Sequence, residues 1–75
     1  MKECATSYII VPSDCTKKTV SVDSYFKKAV EKGRELFGDD FIIRVFKKGR
    51  LNLWDETGDV YDSHGNQIMK KGRKV

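Results

Sequence analysis

Two short apolar segments near the start of the chain have the hydrophobic patterns of β-strands. Residues 6–11 combine β-branched and aromatic side chains and are followed by Pro12. Residues 18–22 alternate polar and apolar positions with a period of two. We therefore expect a first strand and a short second strand that folds back on it, with Val20 and Val22 facing the core.

A helical pattern follows in residues 25–37. Apolar side chains recur there at intervals of three and four, which places them on one side of a helix. Asp23 or Ser24 can cap the first turn, and Gly38 can end the helix because glycine tolerates a positive φ angle. Gly33 lies within the apolar stripe, which indicates a close approach of the helix to a sheet. The stripe consists of Tyr25, Phe26, Ala29, Val30, Gly33, Leu36 and Phe37.

The clearest strand pattern covers residues 41–46. Its side chains alternate between two faces, with Phe41, Ile43 and Val45 on one face and Ile42, Arg44 and Phe46 on the other. Residues 47–50 contain a glycine between basic residues and predict a hairpin loop. The return strand, residues 51–54, would direct Leu51 and Leu53 inward.

A short motif occurs twice in the C-terminal third of the chain. Residues 54–59 and 61–66 both read aromatic-Asp-x-x-Gly followed by Asp or Asn. The aspartate of such a segment can accept backbone N–H groups, and the glycine suits a bulged hairpin turn. Each copy therefore predicts a turn, and together they predict a meander of strands at 51–54, 60–62 and 67–69.

These elements predict a single two-layer α+β domain. Their order is β-(β)-α-β-β-β-β, with one amphipathic helix packed on an antiparallel-rich sheet and a C-terminal meander. We expect the domain to cover residues 1–69 and residues 70–75 to be a basic, flexible tail. An architecture of this kind supports many functions, so the function has to be inferred from the surface of the domain.

The formal net charge of +4 does not come from the predicted domain. Residues 1–69 contain eleven basic and eleven acidic side chains, and the whole excess lies in residues 70–75. A nucleic-acid-binding domain usually carries a basic face on its folded body. An inhibitor that mimics DNA needs a strongly acidic surface, which this composition disfavours.

Residues that commonly carry catalysis or bind metals are few. His64 is the one histidine, and the oxygen-bearing residues near it have neither the spacing of a calcium loop nor its final glutamate. Zinc would need more histidine or cysteine ligands nearby. We therefore expect no enzyme activity, no metal site and no cofactor. The neighbours of His64, namely Asp59, Asp62 and Asn66, are expected to be exposed turn residues.

Two cysteines, Cys4 and Cys15, are separated by eleven positions. The N-terminal residues have the pattern of neither a signal peptide nor a membrane span, so we expect a cytoplasmic protein without a membrane partner. Free thiols are the default in that compartment. A disulfide that ties the first strand to the following loop and a nucleophilic pair of one cysteine with His64 are the alternatives.

One helix can cover one face of a sheet, yet both faces of this sheet carry apolar side chains. Ile42, Phe46 and Trp54, together with Ile9 and Val11, need another cover. We therefore expect a non-catalytic protein-binding module that acts as an accessory regulator or inhibitor, such as a phage-encoded modulator of a host protein. A homodimer through the same face would bury the same side chains. The expected anchors are Arg44, Phe46 and Trp54, and the expected rim is Lys47, Lys48 and Arg50.

Nucleic-acid binding is the alternative function. The tripeptide Lys-Gly-Arg occurs at 32–34, 48–50 and 71–73, and convergence of these sites would create a basic patch. Aromatic side chains and Arg44 on the second sheet face could stack on bases. The residues expected to neutralise phosphates are Lys48, Arg50, Lys70, Lys71, Arg73 and Lys74.

Overall fold

The computed structural model describes residues 6–23, 25–49 and 53–74, which form one helix and six strands. The strands are β1 (Thr6–Pro12), β2 (Val20–Asp23), β3 (Phe41–Lys48), β4 (Trp54–Asp62), β5 (Gln67–Lys70) and β6 (Arg73–Lys74). The helix α1 (Phe26–Phe37) follows β2 in the chain. The strands lie in one sheet in the order β2-β1-β3-β4-β5-β6, and all neighbours are antiparallel. The predicted two-layer α+β fold is confirmed.

The core lies between α1 and the strands β1, β2 and β3, which the helix contacts. An aromatic group closes one end of it, where the ring of Phe26 lies 5.5 Å from that of Tyr8 and 4.6 Å from that of Tyr61. Alternation along β1 and β3 directs every second side chain into this layer, as the sequence predicts. The most deeply buried members are Ile10, Ala29, Phe41 and Ile43, with Val20 and Val22 packed against them.

The helix approaches the sheet closely at Gly33. A β-carbon at this position would lie 2.6 Å from Cε1 of Phe41, which is inside van der Waals contact. The predicted close approach is therefore confirmed. Gly38 ends the helix with a φ of 68°, as predicted. Leu36 is 43% exposed because it lies at the margin of the apolar stripe rather than at its centre, and Tyr25 is exposed because it precedes the first turn of the helix.

The helix begins later than the predicted capping residues. β2 runs through Asp23, which is paired with Ser7 of β1, so Asp23 has an extended backbone and is not the cap. Tyr25 occupies the N-cap position, and its side chain makes no capping hydrogen bond. The other predicted cap, Ser24, lies outside the described residues. Pairing with β1 therefore prevails over the capping preference of Asp23.

The first copy of the repeated motif does not reverse the chain. β4 is continuous from Trp54 to Asp62, so the predicted break between strands at 51–54 and 60–62 is wrong, while residues 51 and 52 lie outside the described residues. The extra residues form a bulge opposite Val45, where the pairing with β3 shifts. The hydroxyl of Thr57 donates to the carbonyl of Val45 at 3.1 Å and accepts the N–H of Asp59 at 3.2 Å. This cross-strand hydrogen bond stabilises a bulge where the local sequence also suits a turn.

The hairpin loop between β3 and β4 is closed by the N–H of Gly49, which donates to the carbonyl of Leu53 at 2.9 Å. Leu53, which was predicted to face inward, is 61% exposed because it precedes the paired part of β4. Leu51 lies outside the described residues. The predicted inward direction is thus wrong for Leu53.

The second copy of the motif is a turn, as predicted. Its aspartate, Asp62, accepts the N–H groups of His64 and Asn66 on one carboxylate oxygen, each at 2.9 Å. Hydrogen bonds to the charged form favour ionisation. The N–H of Asn66, and to a smaller degree that of His64, therefore hold the pKa of Asp62 below its ordinary value of 3.8.

We expect this turn to weaken in acid. The folded-state pKa of Asp62 is the lower one, so its contribution to the free energy of unfolding is fully present above pH 3.8 and is lost as the pH falls below that value. The effect is measured by urea unfolding of wild type and Asp62→Asn at several pH values between about 2 and 5. The pKa of Asp14 is also lowered, but Asp14 titrates in both proteins. The difference in stability between the two proteins therefore reports Asp62 alone. A stability difference that does not change with pH in this range contradicts the prediction.

The chain remains in the sheet beyond residue 69, where the sequence predicted a tail. Lys71 and Gly72 have φ angles of 51° and 83°, which is the conformation of a two-residue hairpin turn. The N–H of Gly72 donates to the carbonyl of Gly58 at 2.9 Å, so this turn packs on the bulge of β4. Residues 70–74 therefore belong to a hairpin of the domain. Its register pairs Met69 with Lys74 and Lys70 with Arg73.

Candidate protein-docking face

The sheet face opposite α1 is covered by no described element, and we call it the open face. Residues that are direct partners in an antiparallel sheet share a face, so the register defines its members. Its apolar side chains are Ile9, Val11, Ile42, Phe46, Trp54, Val60 and Met69. Its polar side chains are Ser7, Ser21, Asp23, Arg44, Lys48, Glu56, Asp62 and Lys74.

Phe46 and Trp54 form the aromatic part of the open face. They lie at the end of the sheet where β3 and β4 are joined, and Trp54 remains 45% exposed while Phe46 is partly buried. Both line a shallow groove of about 510 Å³ together with Ser7, Ile9, Ser21 and Asp23. Neither aromatic side chain is taken into the core of the monomer, which lies on the other side of the sheet.

The other side of this groove comes from β1 and β2 and combines the apolar Ile9 with the polar Ser7, Ser21 and Asp23. Ser7 is buried between the neighbouring strands, whereas Ser21 and Asp23 are exposed on the edge strand. The carboxylate of Asp23 forms no ion pair with any residue in the described ranges. The groove therefore combines an aromatic wall with an exposed carboxylate at the sheet edge.

An ion pair lies at the centre of the open face. Nε of Arg44 on β3 is 2.9 Å from Oε2 of Glu56 on β4, and both side chains are about half exposed. A pair with this exposure contributes only about 0–1 kcal/mol to folding. It fixes the direction of the Arg44 guanidinium, so this predicted anchor is already oriented by Glu56 in the isolated chain.

The three predicted rim residues do not share one position. Lys48 lies on the open face, with Nζ 5.9 Å from the centre of the Trp54 ring, which is within the range of a cation–π contact. Lys47 lies on the other side of the sheet, because it follows Phe46 in the alternation of β3 and lines a hollow beside Tyr8 and Phe26. Arg50 lies outside the described residues.

The Lys-Gly-Arg sites also occupy different parts of the fold. The first site, residues 32–34, lies on α1, across the sheet from the open face. Its two basic side chains form ion pairs, Lys32 with Glu35 at 3.9 Å and Arg34 with Asp39 at 3.6 Å. The second site, residues 48–50, includes Arg50, which lies outside the described residues. The third is the exposed hairpin turn between β5 and β6. Of the basic residues predicted there, Lys74 is on the open face, Lys70 and Arg73 are on the opposite face, and Lys71 is in the turn.

His64 and Cys15 are both exposed in loops of the domain. Cys4 lies outside the described residues, so the state of the two cysteines remains a prediction. Within residues 6–23, 25–49 and 53–74, no three His, Cys, Asp or Glu side chains are close enough to hold a metal ion. No helix in these ranges is long and apolar enough to cross a membrane.

Five members of this face were not assigned to it from the sequence. Asp23 was interpreted as a helix cap, and the serines of β1 and β2 carried no signal of their own. Met69 lies on the open face because the pairing of β4 with β5 shifts between Val60 and Tyr61, and this pairing places Met69 beside Val60. Period-two alternation in β1 and β2, continued through Asp23, is the signal that could have located Ser7, Ser21 and Asp23.

Comparison with known proteins gives no match for this chain: no family model, no curated protein and no solved structure is significantly similar to it.

Proposed function

We propose that this chain is a small protein-binding module that docks through the open face. The observation that carries the proposal is the groove lined by Phe46 and Trp54, which lies on the side of the sheet that no described element covers. Large apolar side chains exposed together in this way usually mark an interaction site. Trp, Phe and Arg are also the residues that dominate binding energies at protein interfaces.

The charges of the open face support a protein partner over a nucleic acid. Its basic side chains are Arg44, Lys48 and Lys74, and its acidic ones are Asp23, Glu56 and Asp62, so they sum to zero. A phosphate backbone laid on this face would meet three carboxylates. Nucleic-acid binding would have to use the basic hairpin at the sheet edge, away from the aromatic groove.

A module that occupies the surface of another protein can regulate or inhibit it by excluding other partners. A role as an accessory regulator or inhibitor is therefore part of the same proposal. In this role Phe46 and Trp54 act as anchors, and the Arg44–Glu56 pair adds a polar contact that selects a complementary surface.

The proposal predicts that Trp54→Ala weakens partner binding by about 2–4 kcal/mol, or roughly 30- to 1,000-fold, as for an aromatic hot spot. The fold should be retained, because Trp54 is exposed. Binding is measured by calorimetry with the partner recovered on immobilised wild-type protein. The control is Leu36→Ala, which removes an exposed apolar side chain from the helix side. Equal effects of the two substitutions would contradict docking through the open face.

A second titration separates the two classes of partner. Labelled single- and double-stranded oligonucleotides are added at low and high salt to wild type and to a variant with glutamine at 70, 71, 73 and 74. We expect negligible affinity for both proteins. Tight, salt-sensitive binding that the glutamine variant loses would favour the nucleic-acid function instead.

A further inference from the structure

We infer that the partner of the open face is a second copy of this chain, packed face to face about a two-fold axis parallel to the strands. This inference rests on the proposed function, since it uses the same docking face. Two sheets that pack face to face keep their strands nearly aligned, about 10 Å apart and crossing at about −30°. A two-fold arrangement also closes on itself and makes every contact twice.

The sheet order decides which strands meet in such a pair. With the axis at the middle of the order β2-β1-β3-β4-β5-β6, the edge strand β2 lies over the second copy's β6, and β3 lies over its β4. The segment that carries Arg44 and Phe46 then faces the segment that carries Glu56 and Trp54. The central ion pair and the aromatic side chains of β3 and β4 are thus brought against their own counterparts, whereas the part of the groove on β1 and β2 faces the second copy's β5 and β6.

The charges at the two edges of the open face are complementary under this rotation. Asp23 lies on β2 and Lys74 lies on β6, and neither forms an ion pair with a described residue. The rotation places each Asp23 opposite the second copy's Lys74. The two residues are offset by two positions along the strands, about 7 Å, which a lysine side chain and the crossing angle can span.

The size of the face fits a weak dimer. Six strands are about 24 Å wide, and a strand of eight residues such as β3 is about 26 Å long. Because β2, β5 and β6 have only four, four and two residues, the footprint is roughly 500 Å², which is below the value of about 800 Å² per partner of a standard interface. We therefore expect a dissociation constant in the micromolar range. Because the face is neutral in sum, the net charge of +4 of each chain does not oppose close contact there.

The test is sedimentation equilibrium of wild type, Asp23→Lys and Lys74→Asp between about 1 and 500 µM, a range that brackets the expected dissociation constant. Wild type should form dimers. Each single variant should dissociate about 10- to 100-fold more readily, because like charges then face each other twice. An equimolar mixture of the two variants should dimerise like wild type, because both edge pairs are then restored. Glu31→Lys on the exposed side of α1 serves as the control and should not change the association.

Three results of this experiment would contradict the inference, each in a different part. A wild-type chain that stays monomeric throughout this range overturns the second copy as partner and leaves a foreign partner for the open face. Dimers that Phe46→Asp disrupts but the charge variants do not overturn the two-fold arrangement. Dimers that survive Phe46→Asp and Trp54→Ala use another surface, which overturns the second copy as the partner of the open face and leaves a foreign partner for it.

Discussion

Ile43→Ala is expected to remove most of the stability of the fold, whereas the neighbouring Ile42→Ala should fold normally. Ile43 is fully buried between α1 and the sheet, and truncation of such a side chain costs about 2–5 kcal/mol. A domain of this size has a net stability of only about 3–5 kcal/mol. Ile42 is also an isoleucine and precedes Ile43 in β3, but it lies on the open face and is only partly buried. Its truncation should cost about 1 kcal/mol or less.

Urea unfolding followed by circular dichroism measures both variants, and the comparison tests the two-layer architecture directly. Equal destabilisation by the two substitutions would mean that the open face is as well covered as the helix side. In that case the docking proposal would lose its basis. A retained fold in Ile42→Ala would also make this variant a further probe of binding, because it removes apolar area from the open face alone.

Gly58→Ala is expected to destabilise the protein by about 2–4 kcal/mol, and Gly72→Ala by only about 1–2 kcal/mol. The backbone strain of an alanine would be nearly the same at the two positions, because their φ angles are 86° and 83°. They differ in the space around them. A β-carbon on Gly58 would lie 2.5 Å from the backbone nitrogen of Gly72, whereas one on Gly72 would have nothing within 4 Å. The excess cost in Gly58→Ala therefore reports the packing of the β5–β6 turn on β4.

Unfolding in urea gives the two costs, and hydrogen exchange shows where the difference arises. The N–H of Gly72, which donates to the carbonyl of Gly58 in the wild type, should exchange faster in Gly58→Ala because the turn is displaced. A Gly58→Ala protein no less stable than Gly72→Ala would show that the turn does not pack against the bulge.

The parts of the fold that could be predicted are those decided within a few residues. The alternation in β3 assigned Ile43 to the core and Phe46 to the second face. The helical stripe with Gly33 and Gly38 predicted both the contact with the sheet and the end of the helix. In each case the local sequence pattern and the tertiary environment require the same residue type, so the local pattern alone is enough for the prediction.

The parts that could not be predicted depend on partners that are distant in the chain. Both copies of the repeated motif are equally suited to a turn. Only the hydrogen bond from Thr57 to Val45, twelve positions away, makes the first copy a bulge. The contact of Arg44 with Glu56 likewise requires the register that this bulge sets. Asp23 joined the groove because strand pairing outweighed its preference for a helix start.

The basic hairpin at one end of the sheet also limits how these molecules can polymerise. Edge strands expose backbone groups that can recruit another strand, and lysine on such an edge discourages this. β6 and its turn present Lys71, Arg73 and Lys74, so two such edges repel each other when they approach side by side. Growth into an extended fibre by pairing of two such edges is therefore suppressed.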